Sequence, residues 1–274
     1  MPINTLDQLI AAASQRVSIL KTASRTTVGT IPFSSIDLAG NPGAGVLAGA
    51  STAAGVVPTS ATAGCPSITT FAGGTIGYIN RVEFSNTVAG RLNVFDMVFK
   101  AGAYSFAAAT TALTGQPSYA TRMISGTDFT NTEIWIEVST AFVTGTAWQV
   151  QVTYTNQSGV AGRSTIISAA QAAAALTLGK MFQLALQSGD TGVQQISSVI
   201  VTNGGTAMTV GAFNVLVMRR LWFGRVRIAN DGDVHDMLKT GLPQVFDSSA
   251  LVLIGAADGT ASGLPEVVME IVSG

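Results

Sequence analysis

The chain has 274 residues, of which 47% are hydrophobic and only 11% are charged, and its 14 Lys and Arg nearly balance its 15 Asp and Glu for a net charge of −1. This composition excludes a disordered chain, which would combine low hydrophobicity with high net charge, and it lacks the basic excess of a typical nucleic-acid-binding protein. One cysteine cannot form an internal disulfide, and one cysteine with one histidine leaves too few ligands for a typical transition-metal site. A surface this poor in charge is unusual for a free monomer and indicates a protein that assembles with other subunits.

Residues 5–23 are predicted to form one amphipathic helix. Thr5 is followed three residues later by Gln8, which is the spacing of a capping box. Apolar residues at helical spacing then form a stripe that packs against its own domain or against a neighbouring subunit. The segment has no basic start, which argues against a signal peptide. The stripe contains Leu6, Leu9, Ile10, Ala13, Val17 and Leu20, of which Leu6, Leu9, Ile10 and Val17 are candidate interface residues.

Residues 39–75 are predicted to form a long irregular arm. Eight glycines and three prolines interrupt mostly small side chains in this segment, and residues 38–80 contain no charged residue. Loops of this length are usually functional or are ordered by something outside their own domain. The arm therefore either lies across another protein's surface or is a flexible linker. The run also lacks the roughly 20 predominantly apolar residues of a membrane helix, so we expect no membrane partner.

From residue 76 onward the pattern predicts an antiparallel, jelly-roll-like β-sandwich, so the expected fold class is mainly β with an N-terminal helix and a long arm. The clearest strand is 148–154, where apolar or aromatic residues from Trp148 to Tyr154 alternate with polar ones. We divide the chain into residues 1–75, the helix and arm, and residues 76–274, the sandwich domain. The predicted strands are 76–84, 91–100, 134–138, 148–154, 181–186, 195–202, 213–218, 251–254 and 267–272, with residues 169–178 as the one helical interruption.

Four arginines fall within nine residues at the start of the C-terminal segment and make a local basic patch. Arginine is favoured at protein interfaces because its planar fork makes bidentate bonds to carboxylates, and the neighbouring Trp222 and Phe223 strengthen this interpretation. Pairing within the chain and contacts to phosphates are the alternatives, but we expect no direct contact with nucleic acid because the whole chain has no basic excess. The candidate interface residues here are Arg219, Arg220, Trp222, Arg225 and Arg227.

Acidic residues at alternate positions in 231–236 can direct oxygen atoms at a hard cation. The bidentate Glu of a calcium loop is missing, and His235 has no second histidine with which to share a transition metal. An acidic, solvated turn that pairs with the preceding arginines is the simpler interpretation. We therefore expect no metal site.

The sequence gives little support for catalysis. It contains neither a G-x-S-x-G nucleophile elbow nor a phosphate-binding loop. Glu133 and Glu137 flank Trp135 on what would be one face of a strand, which is either a sugar subsite or an ordinary solvated face. The rings of Trp135, Trp148 and Tyr154 would stack on sugars only if they are exposed. We expect no catalytic residue and no cofactor.

Four segments together resemble structural proteins of tailed bacteriophage particles: RLNVFDMVFKAG (91–102), WQVQVTYTNQSGVAGRST (148–165), LQSGDTGVQQISSV (186–199) and LPQVFDSSALVLIGAADGTASGLPEVVMEI (242–271). The resemblance covers most of residues 76–271 and implies a β-rich virion protein without catalytic residues, commonly a capsid decoration or cement protein. The implied function is to stabilise the head by binding across neighbouring capsid subunits. The implied partners are the major capsid protein and further copies of the chain, as a homotrimer. The alternative is a carbohydrate-binding or host-attachment module at the tail or neck.

Overall fold

The computed structural model describes residues 3–73, 75–142, 147–171, 176–203 and 210–274. Its strands pair antiparallel, which confirms the predicted mainly β fold with an N-terminal helix. In chain order the elements are α1 (Leu6–Ala11), β1 (Ala13–Lys21), β2 (Phe33–Ser34), β3 (Gly40–Asn41), β4 (Gly77–Asn86), β5 (Gly90–Ser105), β6 (Ala109–Ala112), a 3-10 helix (Ala120–Arg122), β7 (Thr132–Thr140), β8 (Trp148–Asn156), β9 (Arg163–Ser164), β10 (Met181–Leu184), β11 (Val193–Asn203), β12 (Ala212–Val226), β13 (Asp231–His235), α2 (Met237–Thr240), β14 (Gln244–Val245), β15 (Leu251–Ala257) and β16 (Glu266–Ser273).

The chain divides into two compact units, and the long strands β5 and β12 contribute residues to both. Both units draw residues from 1–75 and from 76–274, so they do not coincide with the two predicted segments, and that boundary stays a prediction. Unit 1 contains Met1–Val46, Thr59–Asp96 and Arg220–Gly274, and unit 2 contains Leu47–Pro58 and Met97–Arg219.

Unit 1 is built on a sheet with the strand order β13-β4-β16-β1-β3, in which β14 also pairs with β4. Strand β15 pairs with residues 90–96 of β5 and with β2. Side chains from these strands form one apolar core, in which Val82, Leu253 and Met269 are at most 1% exposed. Buried residues alternate with more exposed ones along β1, β4 and β16, as expected when one face of a sheet meets water.

Unit 2 contains a sheet with the order β6-β11-β8-β9 and a second layer that includes β10, β7 and β12. Its apolar core surrounds Trp148, which is fully buried. The Trp148 ring centroid lies 5.0 Å from those of both Phe106 and Phe213, in edge-to-face geometry. Aromatic pairs of this kind stabilise a core beyond the area that they bury. The predicted alternation along β8 is confirmed, because its apolar side chains all point into this core.

The predicted helix over residues 5–23 is wrong beyond its first turns. Helix α1 ends at Ala11, and strand β1 follows almost at once. The capping box itself is present, because the Gln8 N–H donates to Thr5 Oγ1 at 3.2 Å and the Thr5 N–H donates to Gln8 Oε1 at 3.1 Å. The cap therefore starts a helix that the following residues do not continue.

These residues are extended because β1 pairs with β16, a strand at the other end of the sequence. Residues of β1 pair with β16 at eight successive positions, and this ladder buries Val17 and Ile19 to 2% exposure. Helices in proteins owe most of their stability to tertiary packing and not to the spacing of their own apolar residues. A continuous ladder with core burial therefore outweighs the helical spacing of residues 13–21. Val17, predicted to lie on a helical interface stripe, is instead a core residue of unit 1.

Where it is described, the arm over residues 39–75 is irregular as predicted, apart from β3 and one isolated bridge. That bridge joins Val56 to Lys100, which exchange backbone hydrogen bonds of 2.8 and 3.0 Å. The Tyr104 hydroxyl donates to the Thr52 carbonyl oxygen at 2.8 Å. The middle of the arm is therefore held by its own chain within unit 2.

Gly49 shows how closely the arm approaches the rest of unit 2. A Cβ atom at this position would lie 2.0 Å from the carbonyl carbon of Gly102, so only glycine fits. Residues 47–58 therefore belong to unit 2 and are not a flexible linker, while contact of their exposed side with another protein stays a prediction.

All nine predicted strands overlap an observed strand, and β12 shows the largest difference in length. It continues to Val226 and so carries most of the arginine cluster, where no strand was predicted. The predicted helical interruption at 169–178 lies partly outside the described residues, because 172–175 are not among them. The observed counterparts of the predicted strands are β4, β5, β7, β8, β10, β11, β12, β15 and β16.

Candidate functional site

The outer face of the main sheet of unit 1 carries charges of both signs. Arg16, Glu270 and Arg81 lie opposite one another on β1, β16 and β4. The guanidinium of Arg81 lies 2.9 Å from the Glu83 carboxylate, and that of Arg16 lies 3.5 Å from it. These paired side chains are 39% to 69% exposed, so water screens them and they contribute little to stability. Such a face is typical of a sheet that meets solvent.

The outer face of the sheet β6-β11-β8-β9 in unit 2 carries no charge. Directly opposed residues of antiparallel strands lie on the same face, so Thr110, Ile200 and Gln151 form one row across β6, β11 and β8. Its side chains are partly or fully exposed. We call this surface the neutral face, and it consists of Thr110, Ala112, Gln149, Gln151, Thr153, Thr155, Ser164, Ser198, Ile200 and Thr202.

The neutral face belongs to a unit with few surface charges. Only nine of the chain's Lys, Arg, Asp and Glu residues lie in unit 2, and the sequence places none of them in its undescribed segments. Asp128 is exposed, and hydrogen bonds from the Thr130 hydroxyl and N–H lower the pKa of its carboxyl. Five of the nine are buried, namely Lys100, Arg122, Glu137, Lys180 and Arg219.

Charged side chains of unit 2 form contacts in its interior. Lys100 Nζ lies 3.6 Å from Glu137 Oε2, and both side chains are less than a tenth exposed. The Asn214 side-chain amide donates to the same Glu137 oxygen at 2.9 Å and to the Leu47 carbonyl oxygen of the arm. Burial lowers the pKa of the Lys180 ammonium. These contacts join three strands and the arm, and they remove charge from the surface.

A second internal network surrounds Asp190. The Tyr154 hydroxyl and the Asn156 amide each donate to its carboxylate at 2.7 Å, and Arg163 Nε donates at 2.9 Å. These donors, with Arg163 as the largest contribution, lower the pKa of Asp190 to about 2. Burial, aided by the Asp190 carboxylate, raises the pKa of Tyr154 to about 12. The network ties the end of β8 to the turn before β11.

The structure removes the basis for a sugar-binding or hydrolytic site on the predicted residues. Glu137 is 3% exposed and is committed to the ion pair described above. Glu133 accepts a hydrogen bond from Trp135 Nε1 at 2.8 Å, and Trp135 is only 6% exposed. The rings of Trp148 and Tyr154 are fully buried. None of the three aromatic rings has a face that is open for stacking on a sugar.

Two of the five predicted interface residues in the arginine cluster are buried. Arg219 is 5% exposed in unit 2, and Trp222 is 4% exposed in the core of unit 1. Trp222 Nε1 donates to His235 Nδ1 at 3.0 Å, and the Phe84 ring packs edge-on against both rings. Trp222 therefore stabilises unit 1 and is not available on its surface.

The other three residues of the cluster are exposed. The Arg220 guanidinium lies 5.4 Å from the centroid of the Phe95 ring, and Arg225 lies 3.4 Å from the Asp258 carboxylate. Arg227 follows the end of β12 on the surface. Their contribution to an interface stays a prediction.

The predicted interface residues of the N-terminal helix are Leu6, Leu9 and Ile10, of which the last two lie beside the second helix. Leu6 and Ile10 are 59% and 74% exposed. Leu9 and Ile10 line a groove of about 450 Å³ together with α2, where Leu238 is 83% exposed. No helix in the described part of the chain is long and apolar enough to cross a membrane.

The acidic segment 231–236 is a strand followed by a helix cap, so the predicted turn is wrong. Strand β13 pairs with β4, which fixes the segment as a sheet edge. The Asp236 carboxylate caps α2 by accepting from the Leu238 and Lys239 N–H groups, both at 3.2 Å. Within the described ranges, no three His, Cys, Asp or Glu side chains are placed to hold a metal ion.

Comparison with known proteins finds no matching family model and no matching curated protein. Among solved structures, the subviral particle of infectious bursal disease virus VP2 overlaps with a TM-score of 0.22 and 11% identity, covering 96% of this chain and 80% of that one. The Gt strain of the same virus gives a TM-score of 0.18 and 8% identity, covering 95% and 81%. TM-scores this low do not define a common fold, so function has to be inferred from the chain's own surface.

Proposed function

We propose that this chain is a non-enzymatic structural component of a bacteriophage particle that decorates the capsid and binds across neighbouring capsid subunits in the virion. The observation that carries the proposal is the nearly uncharged surface of unit 2, above all its neutral face. The similarity of four sequence segments to structural proteins of tailed phages supports the particle as the setting. The surface of unit 2 supports assembly as the activity.

The two sheet faces of the chain support this reasoning by contrast. The face in unit 1 carries solvated ion pairs such as Arg81 with Glu83, so the chain has a face of ordinary solvent-exposed type. The neutral face has Gln, Thr and Ser side chains, which lose less hydration free energy than carboxylates or guanidinium groups when a partner covers them. Charged residues are likewise depleted at the centres of protein interfaces.

The partners in this proposal are the major capsid protein and further copies of the chain, as a homotrimer. A net charge of −1 gives copies little mutual repulsion. Apolar area covered at such contacts contributes about 25 cal/mol per Å², from which the costs of association are subtracted. Because residues 47–58 are already ordered within unit 2, binding does not carry the additional entropy cost of fixing that part of the arm.

The test is co-sedimentation of the purified chain with phage particles that lack it. A Thr153→Lys substitution puts one charge at the centre of the neutral face, where the side chain points away from the core. We expect it to weaken particle binding at least tenfold, because a lysine at the centre of the contact must lose its hydration.

Ser18→Lys is the matched control, because it adds the same charge to the already charged outer face of unit 1. We expect it to bind particles like the unaltered chain. Equal binding by both variants, or no binding by the unaltered chain, would reject the neutral face as the particle-binding surface.

A further inference from the structure

Strand β6 is the outermost strand of the sheet β6-β11-β8-β9. It pairs with β11 in regular register, from Ala109 opposite Val201 to Ala112 opposite Ser198. Among the residues that the structure describes, no strand pairs with its other side. β6 is therefore an edge whose outward backbone groups are open to a further strand.

The register identifies which backbone groups point outward. The Leu113 N–H donates to the Ser197 carbonyl oxygen at 2.9 Å, so Leu113 and alternate residues before it direct their backbone groups toward β11. Thr110 and Ala112 consequently direct their N–H and C=O groups away from it. Beyond the end of β6, the Thr114 N–H donates to the Ala53 carbonyl oxygen of the arm at 2.6 Å, as expected if alternate residues direct their backbone groups away from β11.

Apart from its short length of four residues, the edge lacks the features that normally prevent pairing between proteins. Exposed edges are usually protected by charged residues, proline or a bulge. The edge strand β13 of unit 1 follows this rule, because it carries Asp231 and Asp233. Strand β6 has the sequence Ala-Thr-Thr-Ala, with three of its four residues exposed and no charge, proline or register shift.

We propose that β6 pairs antiparallel with β6 of a second copy of this chain, about a two-fold axis at Thr111. In this register Thr110 of each copy lies opposite Ala112 of the other, and their outward N–H and C=O groups form four hydrogen bonds. The axis is perpendicular to the sheet, so the two neutral faces become one continuous face on the same side.

A second copy is the occupant that fits this edge best. A contact about a two-fold axis requires a strand that matches itself, and Thr110 and Ala112 are small, neutral and interchangeable across the axis. The neutral face beside the edge brings no like charges together. Such a contact joins copies in pairs, so in a homotrimer it would link one trimer to the next.

This inference rests on the self-association part of the proposed function, and it is tested on the purified full-length chain without particles. We expect sedimentation velocity to show a mass that doubles with concentration over roughly 1–500 µM, since a four-residue ladder gives a contact near the weak end of specific association. Over the same range, the amides of Thr110 and Ala112 are expected to become at least tenfold slower in hydrogen exchange.

Thr110→Pro with Ala112→Pro removes the two outward N–H groups and leaves the groups facing β11 in place. We expect this variant to keep the lower mass at all concentrations. Thr155→Lys is the control, because it charges the neutral face on β8 away from the edge, and it should still double its mass.

A charge swap keeps the test independent of how well proline is tolerated. Thr110→Lys with Ala112→Lys places lysines opposite lysines, and Thr110→Glu with Ala112→Glu does the same with carboxylates. Each variant alone should stay at the lower mass, and an equal mixture should recover the doubled mass. A constant mass for the unaltered chain, or no recovery in the mixture, would overturn the pairing. Particle binding by a chain that never pairs would leave the proposed function intact.

Discussion

Replacing Lys100 with methionine is expected to destabilise unit 2 by about 3–5 kcal/mol, because the Glu137 carboxylate then stays buried without its cation. Lys100 is 7% and Glu137 is 3% exposed, and Lys100 Nζ lies 3.6 Å from Glu137 Oε2. Methionine nearly matches the length of the lysine stem, so the core loses charge rather than volume. The remaining Asn214 amide supplies one hydrogen bond to the carboxylate, which does not replace a full charge.

The double variant Lys100→Met with Glu137→Gln separates charge from packing. It has no buried charge at this site, and the introduced glutamine side chain keeps an oxygen that accepts from Asn214. Because neutral replacements of buried ion pairs are often tolerated, we expect it to recover about 2 kcal/mol or more relative to the sum of the single variants.

The assay is urea unfolding of all four proteins at pH 7, with thermal melts in parallel. A loss of about 4 kcal/mol corresponds to a melting temperature lower by roughly 10 °C in a chain of this size. Single-variant effects that add to within about 0.5 kcal/mol would refute the reasoning, because they would show that the two groups do not interact.

Three further changes test other parts of the fold. Deleting residues 1–21 removes β1 and leaves β16 without one neighbour, so unit 1 should lose its cooperative thermal transition, and an unchanged transition would contradict this role for β1. The pKa of Asp190 is held at about 2, below the value near 3.9 of an unfolded chain, so stability present above about pH 4 should be lost as the pH falls toward 2. Asp190→Asn should flatten that part of the plot of urea midpoint against pH, and an identical slope would count against it. Gly49→Ala should lower the free energy of unfolding, measured with urea, by more than about 1 kcal/mol, because its Cβ would lie 2.0 Å from the Gly102 carbonyl carbon. Gly43→Ala, which has no atom within 4 Å of its Cβ, should stay within about 0.5 kcal/mol, and equal effects would remove the close approach as the cause.

The local sequence pattern was sufficient to predict a strand where one face of the strand is buried and the other is polar. In β8, residues from Trp148 to Tyr154 alternate strictly, and each predicted inward side chain is in the core. The pattern was insufficient for β1, where Val17 and Leu20 fit a helical stripe while Val17 and Ile19 equally fit a strand. The choice depends on β16 as a partner, which no local window contains. The same holds for 231–236, where pairing with β4 outweighs the turn-forming residues.

The candidate surface was only partly visible in the sequence. The outward residues of β8 are uncharged Gln and Thr, so the neutral character of one strand could be read directly. The addition of Thr110 and Ile200 to the same face depends on the register of three strands, which periodicity does not determine. The burial of Lys100 and Glu137 was also missed, because neither residue's neighbours in sequence reveal its ionic partner.

The scarcity of basic residues on unit 2 has a further consequence for digestion and chemical labelling. Trypsin cleaves after Lys and Arg, and unit 2 offers it only Arg163 as a partly accessible site, which Asp190 already holds. Both lysines of unit 2 are buried, so amine-directed cross-linkers will not report contacts made through that surface. The scarcity of accessible Lys and Arg should therefore make unit 2 resistant to trypsin-like proteases even without a bound partner. Carboxyl-directed or photoreactive reagents are the appropriate probes of its contacts.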